Sequence, residues 1–268
     1  MIQIAAFEDT HLAAALALSQ AVGWPHRLGD WKMLQNLSQG AVALDGSKVI
    51  GTAFRADFGP ELSTLCMIIV APDMQGQGIG RKLMTALMGN HRSYRLIATH
   101  AGRPLYEKLG FTETGQIVQC QGRLVKIPED IEIGPASNED LASIAELERS
   151  SYGADRSALL RWLKQNADLA VSRSSGQVWG FAALRAFGKG HVIGPIVAPT
   201  PQVAQSLVTY LARDLVGTFL RLDVSEESEL APWLEDIGLA TVAKAPIMQR
   251  QGPLHSPTRM AVFSQALG

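Results

Sequence analysis

The chain has 268 residues, 47% of them hydrophobic and 18% charged, with 24 Lys and Arg against 25 Asp and Glu for a formal charge of −1. That is apolar material for one large or two modest domains, and it excludes a disordered polymer, which would be poor in apolar residues and high in net charge. It also excludes a general polyanion binder and, with no apolar run long enough to cross a bilayer, a membrane-spanning chain, so neither a nucleic-acid nor a membrane partner is expected.

In chain order, Ile2–Phe7 alternates as a short strand, and Asp9 or Thr10 is placed to cap an Ala/Leu-rich helix that runs to about Ala21. Gly23-Trp24-Pro25 ends that helix, and a second follows near Asp30–Leu37. Ala41–Leu44 and Lys48–Phe54 flank Asp45-Gly46, a dipeptide suited to a tight hairpin turn. Leu62–Val70 is a nearly continuous apolar run, which predicts a central strand covered on both faces. Ile79, Leu83, Met84 and Leu87 then recur at helical spacing, followed by a strand at Tyr94–Thr99, a short helix at Pro104–Leu109 and a strand at Ile117–Val125. Cys66 and Cys120 are the only cysteines, and no basic and apolar leader opens the chain. Reduced, buried thiols in a cytoplasmic protein are therefore expected. No CxxC or HExxH spacing occurs, so no metal site is expected.

The same order repeats in the second half. Ile2, Ile4, Leu12 and Ala13 recur as Ile131, Ile133, Leu141 and Ala142, displaced by 129. Val49-Ile50-Gly51 recurs as Val178-Trp179-Gly180 at 129, and Ile69-Val70-Ala71-Pro72 as Ile196-Val197-Ala198-Pro199 at 127. Pro104 and Leu109-Gly110-Phe111 recur as Pro232 and Ile237-Gly238-Leu239 at 128. So long a period is not that of a solenoid. It predicts two similar domains, at 1–126 and 131–251, joined near Lys126–Asp130, with a tail at 252–268 that packs on a domain surface through Met260-Ala261-Val262-Phe263.

The segment with the most chemistry runs from Met67 to Lys82, where a buried strand enters a loop with Gly76, Gly78 and Gly80 and an amphipathic helix begins. Glycine admits close approach to backbone, and the free amides of a helix start cradle phosphate oxygens, with Arg81 and Lys82 adding positive charge. The GxGxxG dinucleotide fingerprint and the GxxxxGK[ST] loop are both absent. Gln75, Gly78 and Gly80 supply a Q/R-x-x-G-x-G/A pattern instead, preceded by Ile69–Pro72 and followed by Leu105-Tyr106-Glu107-Lys108-Leu109-Gly110-Phe111. In this combination the chain resembles the GCN5-related N-acetyltransferase (GNAT) superfamily over residues 1–126.

The resemblance implies an α/β fold of two tandem GNAT-like domains, each a mixed, mostly antiparallel twisted sheet flanked by helices. It implies acetyl-CoA as co-substrate, held by Ile69 and Val70 on a strand edge and by Gln75, Gly76, Gln77, Gly78, Ile79, Gly80 and Arg81 of the loop. Tyr106 stands at the family's position for the acid that protonates the leaving thiolate; it is equally placed as a core aromatic, and the two roles are compatible. The strand before the loop lacks the Glu some members use as base, Glu61 lying at its start, and Thr99-His100 replaces an Asn that often contacts the cofactor. His100 is the first candidate for the base, with His26 and Asp30 behind it. Trp24, His26 and Trp31 are candidates for the acceptor wall, although core packing explains the tryptophans as well.

In the second half Val203 and Gln205 face Gly76 and Gly78, Pro201 removes an amide, and Leu234 aligns with Tyr106. This resembles the degenerate C-terminal domain of bacterial tandem acetyltransferases of the YitH type, which implies a catalytically silent half that closes a pocket or forms an interface. The leading expectation is an N-acetyltransferase acting on a small-molecule amine by direct attack on the thioester, as a monomer or homodimer. The alternative is a non-catalytic acyl-CoA-binding sensor or regulatory module of the same fold.

Overall fold

A computed structural model of the chain describes residues 1–89, 93–127, 133–252, 256 and 258–268. The Pro-Glu-Asp step at 128–130 and Ile131 of the repeat lie outside the described residues. The first half contains β1 (Ile2–Ala6), α1 (Leu12–Ala21), α2 (Leu28–Leu37), β2 (Gln39–Asp45), β3 (Lys48–Phe58), β4 (Leu62–Val70), α3 (Ile79–Leu87), β5 (Ser93–Ile97), α4 (Arg103–Lys108) and β6 (Thr112–Arg123). The second contains β7 (Ile133–Pro135), α5 (Leu141–Tyr152), α6 (Ser157–Asn166), β8 (Asp168–Ser174), β9 (Gln177–Phe187), β10 (Gly190–Val197), α7 (Pro201–Ala212), β11 (Phe219–Ser225), α8 (Ala231–Asp236), β12 (Ala240–Arg250) and β13 (Arg259–Ala261).

The halves repeat element for element as far as β12, to which the second half adds β13, and the fold is mixed α/β with mostly antiparallel pairing. The repeated glycine has a packing reason. A Cβ at Gly51 would lie 2.9 Å from the Ile69 carbonyl oxygen and 3.2 Å from Leu83 of α3; at Gly180 it would lie 3.1 Å from the Val197 carbonyl oxygen and 3.3 Å from Val203 of α7. Each half thus seats its third helix directly on its hairpin, which only glycine permits. The start of α1 differs from expectation. Asp9 and Thr10 do not cap it; a short 3-10 turn over Asp9–His11 precedes it, closed by the Glu8 amide donating to His11 Nδ1 at 2.9 Å.

The two expected sheets are one 13-stranded sheet, ordered β1-β2-β3-β4-β5-β12-β6-β11-β13-β10-β9-β8-β7. The join is an exchange. β6 leaves its own half to pair with β11 from Ile117↔Ser225 to Arg123↔Phe219, and β12 crosses back to pair with β5 from Tyr94↔Arg250 to Ile97↔Ile247. β6 and β12 then pair with each other along the middle. Each half therefore completes the other's sheet, and the apolar cores follow suit: Leu12, Trp31 and Leu34 share one cluster with Leu159, Leu163, Phe263 and Leu267.

Residues 259–268 do not lie on a surface. β13 enters the sheet between β10 and β11, pairing Ile196↔Ala261, Val197↔Arg259 and Val224↔Ala261, and Met260 through Phe263 are buried. Among the described residues no helix is long and apolar enough to cross a membrane, and Cys66 and Cys120 are free and buried.

Candidate active site

β4 and β5 are parallel neighbours only at their start, Leu62↔Ser93 through Thr64↔Arg95. Beyond that point β5 turns to β12, and among the described residues no strand pairs with the β5-facing edge of Cys66–Val70. Ile69 is buried and Val70 half-buried on this edge. The same stretch carries a bulge: Met67 has φ 50°, and Met67 and Ile68 together face Ala53 of β3, between the pairs Thr52↔Ile69 and Phe54↔Cys66. Thr52 Oγ1 donates to the Met67 carbonyl at 2.9 Å and fixes the bulge from beneath. A bulge re-aims the backbone locally, which suits a strand end that must present polar groups to a ligand.

The glycine loop follows directly. Gly76 (φ 78°) and Gly78 (φ 74°) are left-handed, and a Cβ at either would meet nothing within 4 Å. These residues are glycine for backbone conformation, and the space around them is open. Gly78 caps α3, whose first amides, from Ile79, Gly80 and Arg81, have no helical acceptor; Lys82 N–H is the first bonded back, to Gly78 at 3.1 Å. Ile79 is buried and anchors the turn, Gly80 packs under Leu105, and Gln75 Nε2 donates to the Val70 carbonyl at 3.2 Å. Gln77 and Arg81 are exposed beside the loop.

Tyr106 is buried on α4, its ring lying over Gly102, where a Cβ would sit 2.8 Å from the ring and 2.9 Å from the hydroxyl. The hydroxyl has no hydrogen-bond partner among the described residues. Burial pushes the phenol above its ordinary range, with the neighbouring Cys66 thiol pushing the same way, so Tyr106 is a neutral donor at any physiological pH. Burial also pushes the Cys66 thiol up to about 12, which leaves it uncharged.

Tyr106, Cys66 and Met67 open into a cavity of about 320 Å³ between the halves. Trp24 and His26 line it from the α1–α2 connection, Asp30 from α2 and Thr99 from just beyond β5. His26 lies 5.7 Å from the Trp24 ring and edge-on to Phe187 at 6.0 Å. Burial lowers the His26 pKa to about 4 despite the pull of Asp30, and Arg221 and Arg185 lower it further, so the imidazole is neutral. Two of the candidate residues lie elsewhere. Trp31 is fully buried, stacked on Phe7 and bonded to Ser19, and belongs to the core. His100 is exposed on the turn between β5 and α4 and does not line the cavity.

The opposite wall comes from the second half and from β6. Arg221 grips Asp223 through both carboxylate oxygens at 2.9–3.2 Å, and Gln265 donates to Asp223 at 3.0 Å and to Gln119 at 3.1 Å. Arg185, Phe187 and Lys189 of the β9 end complete it. These residues were not candidates from sequence. Their signal was there in Phe219-Leu220-Arg221-Leu222-Asp223-Val224, where charges alternate with apolar residues and so share one strand face, and in the lone Arg185 within an apolar strand.

The corresponding places in the second half are filled. β13 occupies the gap between β10 and β11. The start of α7 has Pro201 in place of a free amide, and Thr200 caps it by accepting from the Val203 amide at 3.3 Å. Glu148 sits buried between Arg156 and Arg259 at 3.0 and 2.8 Å, with Arg156 over the Tyr152 ring at 4.1 Å.

Residues 36–113 match one model of the acetyltransferase (GNAT) domain and residues 144–264 match another. The uncharacterized N-acetyltransferase YitH of Bacillus subtilis (strain 168) is 29% identical, over 97% of this chain and 96% of that protein. A candidate acetyltransferase of Pyrococcus horikoshii superposes with a TM-score of 0.81 at 18% identity, covering 100% of this chain and 96% of that one. A tandem GNAT protein of the clavulanic acid biosynthesis pathway superposes with a TM-score of 0.63 at 13% identity, over 95% and 100% of the two chains. The two solved structures are likenesses of fold.

Proposed function

We propose, from the premise that the chain belongs to the acetyltransferase (GNAT) family, that its first half transfers an acetyl group from acetyl-CoA to a primary amine of a small molecule. The observation that carries this reading is the continuity of an unpaired β4 edge with an open left-handed glycine loop and the free amides of α3. The residues present fit the co-substrate: three free amides at a positive helix end suit a pyrophosphate, and an unpaired strand edge suits the amides of a pantetheine arm. Acetyl-CoA brings the activated thioester. The chain's own residues do the rest.

Gly78 and the amides of Ile79, Gly80 and Arg81 bind anionic oxygens, while Arg81 and Lys82 add charge from the surface. The bulge at Met67, tied to Thr52, sets the backbone at the end of the cleft where amide donors meet developing negative charge. Tyr106, neutral and without a hydrogen-bond partner among the described residues, is the proton donor to the departing thiolate. The cavity holding His26 and Trp24 takes the acceptor, and the second half supplies its far wall. His26, uncharged, serves there as a hydrogen-bonding group.

Calorimetric titration with acetyl-CoA, followed by thiol release against an amine panel, tests the reading. Micromolar binding and turnover on any amine support it. Binding without turnover on any amine would favour the sensor alternative, and absence of binding would end both.

A further inference from the structure

We infer that the acceptor amine also carries a carboxylate, and that Arg185 receives it; this rests on the transferase reading above and narrows its substrate class. Arg185 lies on β9 with only 3% of its surface exposed, lining the cavity. One hydrogen bond holds it, from Nη2 to the Phe263 carbonyl at 3.0 Å, and its Nε is buried with no partner. The guanidinium carbon rests 4.2 Å from the Phe263 ring centre and 5.2 Å from that of Phe187. Two aromatic faces therefore orient the group without neutralising it.

The other buried charges lining the cavity are matched. Arg221 is held by Asp223 through both oxygens. Asp30 accepts from the Arg27 side chain at 3.3 Å and from the Arg27 amide at 2.8 Å. The lining cations Arg185, Lys189 and Arg221 face two carboxylates, Asp30 and Asp223, both already engaged. Arg185 makes no ion pair among the described residues; Asp30 and Asp223 attract it only from a distance, each bonded to another arginine, an arrangement that is costly for a buried cation unless an anion completes it. Lys189 is exposed to solvent, so Arg185 is the one buried lining cation without an ion pair among the described residues, and one such charge suits a monoanion rather than a doubly charged phosphate. The planar fork of a guanidinium matches a carboxylate in particular.

The same cavity reaches Cys66, Met67 and Tyr106 at the acetyl-transfer end. One molecule that spans it would set its carboxylate on Arg185 and its amine at the thioester. A volume of about 320 Å³ is at the small end for ligand pockets, so that molecule is of amino-acid size.

The test compares the twenty protein amino acids, β-alanine and 4-aminobenzoate with their carboxamides, measuring thiol release from acetyl-CoA and, by calorimetry, binding to the protein with CoA present. Acids should be preferred to their amides by about 100-fold in kcat/KM. In Arg185→Met the preference should fall to within about threefold, through KM for the acid and with KM for acetyl-CoA unchanged; Arg185→Lys, which keeps the charge and loses the fork, should lie between. Acid and amide used alike, or neither bound while acetyl-CoA binds, would overturn the inference. Should Arg185→Met fail to fold, the acid-to-amide ratio of the native protein decides alone. If acetyl-CoA itself does not bind, the transferase reading falls, and titrating the acids alone then decides whether Arg185 still marks an anion site.

Discussion

Replacing Gly78 by Glu tests the loop most directly, because the structure separates the strain of the change from its charge. Gly78 has φ 74° and open space around a Cβ, so no side chain clashes there. The left-handed backbone alone costs about 1–2 kcal/mol for a non-glycine residue. A carboxylate about 5 Å from a bound phosphate, at an effective dielectric of about 20, adds roughly 3 kcal/mol of repulsion, or about 200-fold in Kd. Gly176, in the β8–β9 turn, has φ 78° and equally open surroundings, so Gly176→Glu carries the same strain and charge away from the loop. Both variants should lose similar stability in urea titration, while only Gly78→Glu should weaken acetyl-CoA in calorimetry, by 100-fold or more. Equal acetyl-CoA affinity in the two variants would refute the assignment of the loop.

Tyr106→Phe should leave acetyl-CoA affinity unchanged and lower kcat by about 100-fold; since burial raises its pKa, the native rate should show no alkaline fall from this phenol below about pH 10. An unchanged kcat would make Tyr106 packing alone. His26, whose folded pKa is about 4 against roughly 6.5 unfolded, binds a proton in the unfolded state first as pH falls, so its contribution to stability is present above about 6.5 and is lost down to about 4. Urea unfolding at pH 7 and 4.5 should show the native protein losing up to about 3 kcal/mol more than His26→Gln across that window. Thr200→Ala should cost about 1 kcal/mol of stability by uncapping α7, with no change in acetyl-CoA affinity. Lost affinity there would show that the second half takes part in binding.

What could be read from sequence followed the range over which each signal acts. β4 was legible to its ends because Leu62–Val70 is buried along nearly its whole length, and α3 because Ile79, Leu83, Met84 and Leu87 fall on one face. The repeat was legible because Gly51 and Gly180 meet the same steric demand. The exchange of β6 and β12 was not, because alternation fixes which face of a strand is buried and carries no record of its neighbour. The bulge at Met67 was hidden because a positive φ on a non-glycine residue leaves no mark in composition. His100 drew attention by adjacency to β5, and one turn of chain sets it outside the cavity. The far wall, Arg185, Arg221 and Asp223, comes from strands more than a hundred residues beyond β4, and pairing across the halves brings it to the site.

The insertion of β13 gives the long sheet one stiff half and one compliant one. Where Ile196 and Val197 are bridged to Ala261 and Arg259, and the Ala198 amide is tied to Thr258 at 2.9 Å, the backbone is laced on both sides. The matching stretch of β4 is laced to β3 alone, so the line between β4 and β5 is a seam along which the sheet can flex without breaking a ladder. Three residues of strand span roughly 10 Å, and that is the length of stitching the second half has and the first lacks. Amide exchange should report this directly: β10 slow throughout, the seam edge of β4 fast until a ligand takes up the stitch.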